Sequence, residues 1–157
     1  MYEYTREEGD DGPLFLFSTE FGLSYIVSFR QMGKLNYPLH KLYSIDFLEK
    51  KGRKGKSDIK ISTTILSIIL QFIDENPECT LHYLCDINDG KQMHRAKLFT
   101  RWFSLCGANN WMKLDFKFDG APEDYMLSFL FDSHVYDEEL MQDEILLTLD
   151  MLESDKT

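Results

Sequence analysis

The stretch Ser62-Thr63-Thr64-Ile65-Leu66-Ser67-Ile68-Ile69-Leu70-Gln71-Phe72-Ile73-Asp74-Glu75-Asn76-Pro77 decides how the rest of the chain is read. Ile65, Leu66, Ile68, Ile69, Phe72 and Ile73 recur at helical spacing, one apolar stripe on a 3.6-residue period. Ser62 is the expected N-cap, and Asn76-Pro77 stops the helix. The residues just before it, Asp58 to Ile61, read either as the last piece of a strand or as the helix's first turn.

Upstream of this helix the period changes to two. Leu23, Tyr25, Val27 and Phe29 alternate with Ser24, Ile26, Ser28 and Arg30. Together with Leu14 to Phe17 and the turn Thr19-Glu20-Phe21-Gly22, they read as a β-hairpin. Tyr43, Ile45 and Phe47 alternate again, and Tyr2 to Thr5 supplies a short extra N-terminal strand. Downstream, Thr80 to Leu84 reads as a strand buried on both faces. A second helix carries Ala96, Leu98, Phe99, Trp102, Phe103 and Cys106 inward and ends at Gly107. Met112, Leu114, Phe116 and Phe118 form a half-buried strand that turns at Asp119-Gly120 into Tyr125, Leu127, Phe129 and Phe131. A last, acidic helix shows the stripe Met141, Ile145, Leu149 and Leu152. The order β-β-β-α-β-α-β-β-α defines an α+β fold, a mostly antiparallel sheet of five to seven strands flanked by three helices. No linker divides residues 1–157, so a single domain is expected.

Composition narrows the function classes. The chain is 43% hydrophobic and 14% aromatic, enough apolar material for one well-filled core. The stretch from Ile59 to Ile73 is too short and too interrupted to cross a bilayer. The opening residues have neither a basic start nor an apolar run, so no secretory leader is expected. Cys79, Cys85 and Cys106 have no Cys-x-x-Cys spacing and suit reduced thiols, which points to the cytoplasm. A net charge of −10 opposes general nucleic-acid binding. That charge is segregated: six bases and one acid lie between Lys50 and Lys60, and eight acids with no base between Asp137 and Asp155. Contact between the two in a second copy would give a salt-sensitive homodimer.

Two loops carry chemistry. Asp86, Asn88, Asp89, Lys91, Gln92, Arg95 and Arg101 cluster where a strand hands over to a helix. Unpaired amides at a helix start attract anions, and three cations stand nearby. The plainer reading gives the acids to capping and the bases to solvent. The second loop, Lys50-Lys51-Gly52-Arg53-Lys54-Gly55-Lys56-Ser57, offers Arg53, Lys54 and Lys56 to an anion. Its glycines do not match the Walker interval, and a solvated connection is the plainer reading. His40, His82, His94 and His134 lack partners at metal-ligand spacing, so no metal site is expected. His82 reads as a packed or sheet-surface residue. No catalytic residue is assigned, because no nucleophile–base pair or nucleophile elbow is present.

The segment Leu81-His82-Tyr83-Leu84-Cys85-Asp86, with Asp89-Gly90-Lys91-Gln92, Arg95, Leu98-Phe99 and Arg101-Trp102-Phe103, resembles a family of small bacterial proteins of unknown function. The likeness extends to Thr64-Ile65 and the Tyr-rich N-terminal strands. A second resemblance is topological: three strands, helix, strand, helix and two strands is similar to the later part of the acyl-CoA-dependent N-acetyltransferase fold. Asn88, Ala96, Leu98-Phe99 and Tyr125-Met126 loosely resemble its acetyl-CoA-side helix and closing strand. That resemblance implies acetyl-CoA as cofactor, its pyrophosphate clasped by a loop that runs directly into a helix. This chain departs from it in three ways. Gly52 and Gly55 have another spacing, Ile59-Lys60-Ile61 separates the loop from a helix capped at Ser62, and the family's two N-terminal helices have no counterpart. The functional expectation is a non-enzymatic cytoplasmic module, without cofactor, that recognises a protein partner through charged surfaces. The alternative is an acetyltransferase-like or phosphate-ligand-binding domain using the loop 86–95.

Overall fold

The computed structural model describes residues 1–53, 58–86, 110–118 and 125–154. Seven strands form one sheet: β1 (Tyr4–Glu8), β2 (Pro13–Ser18), β3 (Ser24–Gln31), β4 (Leu42–Glu49), β5 (Thr80–Asp86), β6 (Trp111–Phe118) and β7 (Tyr125–Asp132). They lie in the order β1-β2-β3-β4-β5-β7-β6. Neighbours are antiparallel except β4 and β5, which run parallel. Two helices are described, α1 (Ile59–Glu75) between the parallel strands and α2 (Glu138–Ser154) after β7. The α+β class and the mostly antiparallel sheet of seven strands therefore match the sequence. The third expected helix, over residues 92–107, lies outside the described residues. No described helix is long and apolar enough to cross a membrane.

The period-two pattern builds two opposite faces. Phe15, Phe17, Val27, Phe29, Ile45, Leu81, Tyr83 and Leu130 point to one side, where Ile65, Ile68, Ile69 and Phe72 of α1 cover them. The Phe29 and Phe72 rings stack at 4.0 Å between centroids. Burying one such aromatic or aliphatic side chain contributes about 1.5–3 kcal/mol. Leu42, Phe129 and Phe131 point to the other side, against Met141 and Ile145 of α2. Each helix thus holds its own face of the sheet. Cys79 is a buried free thiol in the α1-side core, as expected of a reduced cysteine.

The start of α1 corrects the reading of the sequence. Asp58, not Ser62, is the N-cap: its Oδ1 accepts the Lys60 amide at 2.9 Å. Ser62 is inside the helix and donates back to the Ile59 carbonyl at 2.9 Å. The reason is tertiary. The Tyr2 hydroxyl donates to Asp58 Oδ2 at 2.5 Å and the Tyr2 amide to Thr64 Oγ1 at 2.7 Å. Tyr4 continues the contact at Gln71, and Arg6 at Glu75. The N-terminal segment is laced along α1, and the first strand falls at Tyr4–Glu8 rather than at Tyr2 to Thr5.

Candidate functional site at the split between β4 and β5

Parallel strands joined through a helix place the helix start, and the loop before it, at their C-terminal ends. Ligands of open sheets gather at that end, where neighbouring strands part. Here the parting is concrete. The parallel ladder holds Leu42 to Thr80, Tyr43 to Leu81 and Ser44 to His82, and no further pair. Residues 45–49 continue along β3, and residues 83–86 continue along β7, so both strands stay ordered while leaving each other. Beyond Ser44 and His82 a gap therefore opens between the two strands.

At the mouth of the gap, β4 runs into the basic loop through one well-built contact. The Glu49 side chain is only 4% exposed. Its carboxylate accepts the amides of Ser24 at 3.2 Å, Lys51 at 3.1 Å and Arg53 at 3.0 Å, and the Arg53 Nε at 3.2 Å. Arg53 also donates to the Gly22 carbonyl at 2.8 Å. Burial by itself would raise this carboxyl. The Arg53 amide, then its guanidinium, then the Ser24 and Lys51 amides outweigh burial and hold the pKa down at about 2. Gly52 gives the turn its positive φ of 68°. Lys50 and Lys51 remain exposed beside it.

At the inner end of the gap stands His82, the last β5 residue paired to β4. Its ring stacks on Phe129 at 5.6 Å, and among the described residues neither ring nitrogen has a hydrogen-bond partner. Burial, and secondarily the positive charge of Arg30, lowers its pKa to about 4, so the imidazole is neutral near pH 7. Two broadly open hollows, of about 620 and 600 Å³, lie along the β1–β3 side of the sheet. Neither includes the described walls of the gap, residues 45–48 and 83.

The residues singled out from sequence fare unevenly. Asp86 ends β5, paired with Tyr125 of β7. Asn88, Asp89, Lys91, Gln92, Arg95, Arg101, Lys54 and Lys56 lie outside the described residues. Arg53 is turned inward onto Glu49 and Gly22. The sequence assigned no role to Glu49, Arg30 or Ser44, and gave His82 as a packed or sheet-surface residue. Glu49 had a signal: it continues the alternation Tyr43, Ile45, Phe47, an acid in an inward register. No group of three or more possible metal ligands occurs among the described residues.

Comparison with known proteins adds the following. Residues 57–120, from the end of the basic loop through β6, match the model of a family of unknown function, DUF6169. No curated protein matches the sequence. Among solved structures, the chain is similar to a crystal structure provisionally assigned as a phosphinothricin N-acetyltransferase. The identity is 16%, the TM-score 0.47, and the alignment covers 83% of this chain and 72% of the other.

Proposed function

We propose that the chain binds an extended ligand of the acyl-CoA class in the gap between β4 and β5. The observation that carries this reading is the parallel ladder that stops after Ser44 and His82 while both strands run on. Strand edges bind what a strand would offer, a linear chain with amides spaced along it. The basic loop at the mouth favours phosphate at the ligand's outer end, with exposed Lys50 and Lys51 supplying charge. A ligand with an amide-bearing arm at one end and phosphates at the other is an acyl-CoA. The cap at Asp58 supports the same reading: Ile59-Lys60-Ile61 is the first turn of α1 and not a separate segment before it, so it is no longer a departure from the acetyltransferase arrangement. The glycine spacing still is.

Isothermal titration of the full chain with acetyl-CoA tests it, with pantetheine and adenosine 3′,5′-bisphosphate as half-ligands. Acetyl-CoA should bind at least about tenfold more tightly than either half, because joining two contacts makes the second intramolecular. The Lys50→Ala, Lys51→Ala double variant should weaken acetyl-CoA and the bisphosphate alike, leaving pantetheine unchanged. No heat with acetyl-CoA, or a bisphosphate that binds as tightly as acetyl-CoA, would overturn the proposal.

A further inference from the structure

On the face of the sheet opposite α1, the registers set a row of side chains across three strands. Arg30 of β3 pairs with Ser44 of β4, Ser44 pairs with His82 of β5, and His82 pairs with Phe129 of β7. Directly paired residues share a face with Cβ atoms about 5 Å apart. Arg30, Ser44 and His82 therefore leave the sheet side by side on one face. Arg30 is exposed, Ser44 is half-buried, and the His82 nitrogens are buried, so the row leads inward from solvent. Among the described residues none hydrogen-bonds any of the three side chains. Thr80 Oγ1, two residues back on the same strand and face, is buried and, among the described residues, unpartnered as well. A native structure carries few such groups, since each left unsatisfied costs about 1–3 kcal/mol.

We infer that Arg30, Ser44 and His82 form a binding site for a small oxyanion, a carboxylate or a phosphoryl group. All three offer donors. The guanidinium has only donors and forks onto two oxygens, the hydroxyl adds one, and a neutral imidazole adds one N–H. A cation is disfavoured, because Arg30 already places a positive charge on the row. Asp46, two residues on from Ser44 on the same face, is the nearest carboxylate in register and moderates the attraction. The site stands on this register and on the unpartnered His82 nitrogens, and not on the acyl-CoA reading, although it adjoins the inner end of the gap.

The test is a titration of the full chain, without acetyl-CoA and at constant ionic strength, followed by the ring ¹⁵N resonances of its histidines. The probes are succinate and, separately, inorganic phosphate. Saturable movement of the His82 signals is expected with at least one probe, and the stronger one tells carboxylate from phosphoryl. Binding should also raise the pH at which His82 protonates, which a merely packed histidine would not show. Arg30→Gln changes an exposed residue that none of the described residues hydrogen-bonds, so the fold should persist while affinity falls about tenfold or more. Linear, unsaturated shifts with both probes, or equal binding in Arg30→Gln, would overturn the inference.

Discussion

Two buried polar groups stand at opposite ends of the gap. Glu49, at the outer end of β4, is met by three amides and a guanidinium. His82, at the inner end, has no hydrogen bond at either nitrogen among the described residues. Both are removed from water, and burial opposes the charged form of each. In Glu49 the donors overrule burial and the charge stays, whereas in His82 burial prevails and the ring is neutral. A satisfied buried charge holds chain together; an unsatisfied polar ring leaves capacity for something else. The first therefore fixes the start of the basic loop, and the second is the group on which the proposed oxyanion site rests.

Replacement of the two should move stability in opposite directions. Glu49→Ala leaves the Ser24, Lys51 and Arg53 amides without their acceptor and frees the start of the basic loop. A fall in Tm of roughly 5 °C or more is expected by calorimetry. An unchanged Tm would show that the clamp contributes nothing. His82→Leu replaces an unpartnered ring with an apolar group of similar reach, so a smaller rise in Tm, roughly 2–3 °C, is expected. A marked fall would mean that the imidazole has a partner after all.

Acid separates them further. The His82 pKa is lowered from 6.5 to about 4 in the fold. Its contribution is complete above pH 6.5 and is lost as the pH falls towards 4, because the unfolded chain takes up a proton that the fold refuses. The Glu49 pKa is lowered from 4.5 to about 2. Its contribution is complete above pH 4.5 and is lost as the pH falls towards 2. Chemical denaturation along a pH series should find His82→Leu flatter than the parent between pH 6.5 and 4. Glu49→Gln should be flatter only below 4.5, and exchanged windows would refute the assignment. The smallest effect belongs to Arg30→Gln: its Tm should match the parent within error, since Arg30 is exposed and none of the described side chains bonds it.

Much of the fold is legible because half-buried strands and one-sided helices print their period in the sequence. Tyr25, Val27 and Phe29, or Ile65, Ile68, Ile69 and Phe72, needed no further information to be placed inward. The true start of α1 was not legible. Asp58 and Ser62 are both good caps, and the choice between them was made by Tyr2, remote in sequence. The parallel pairing of β4 with β5 leaves no pattern either, being only three pairs long. The clamp on Glu49 joins residues as far apart as Ser24, and Glu49-Lys50-Lys51 by itself reads as solvated surface. His82 sits on the outward phase of Leu81-His82-Tyr83. Only the register with Ser44 and Arg30 shows what surrounds it.

The acyl-CoA proposal requires that β4 and β5 part to admit a ligand between them. Amide hydrogen exchange over residues 45–49 and 83–86, with and without acetyl-CoA, addresses this directly. The account predicts slower exchange on both facing edges when acetyl-CoA is present, and none of this slowing with adenosine 3′,5′-bisphosphate alone. Exchange that is unchanged on both edges at saturating acetyl-CoA would contradict it.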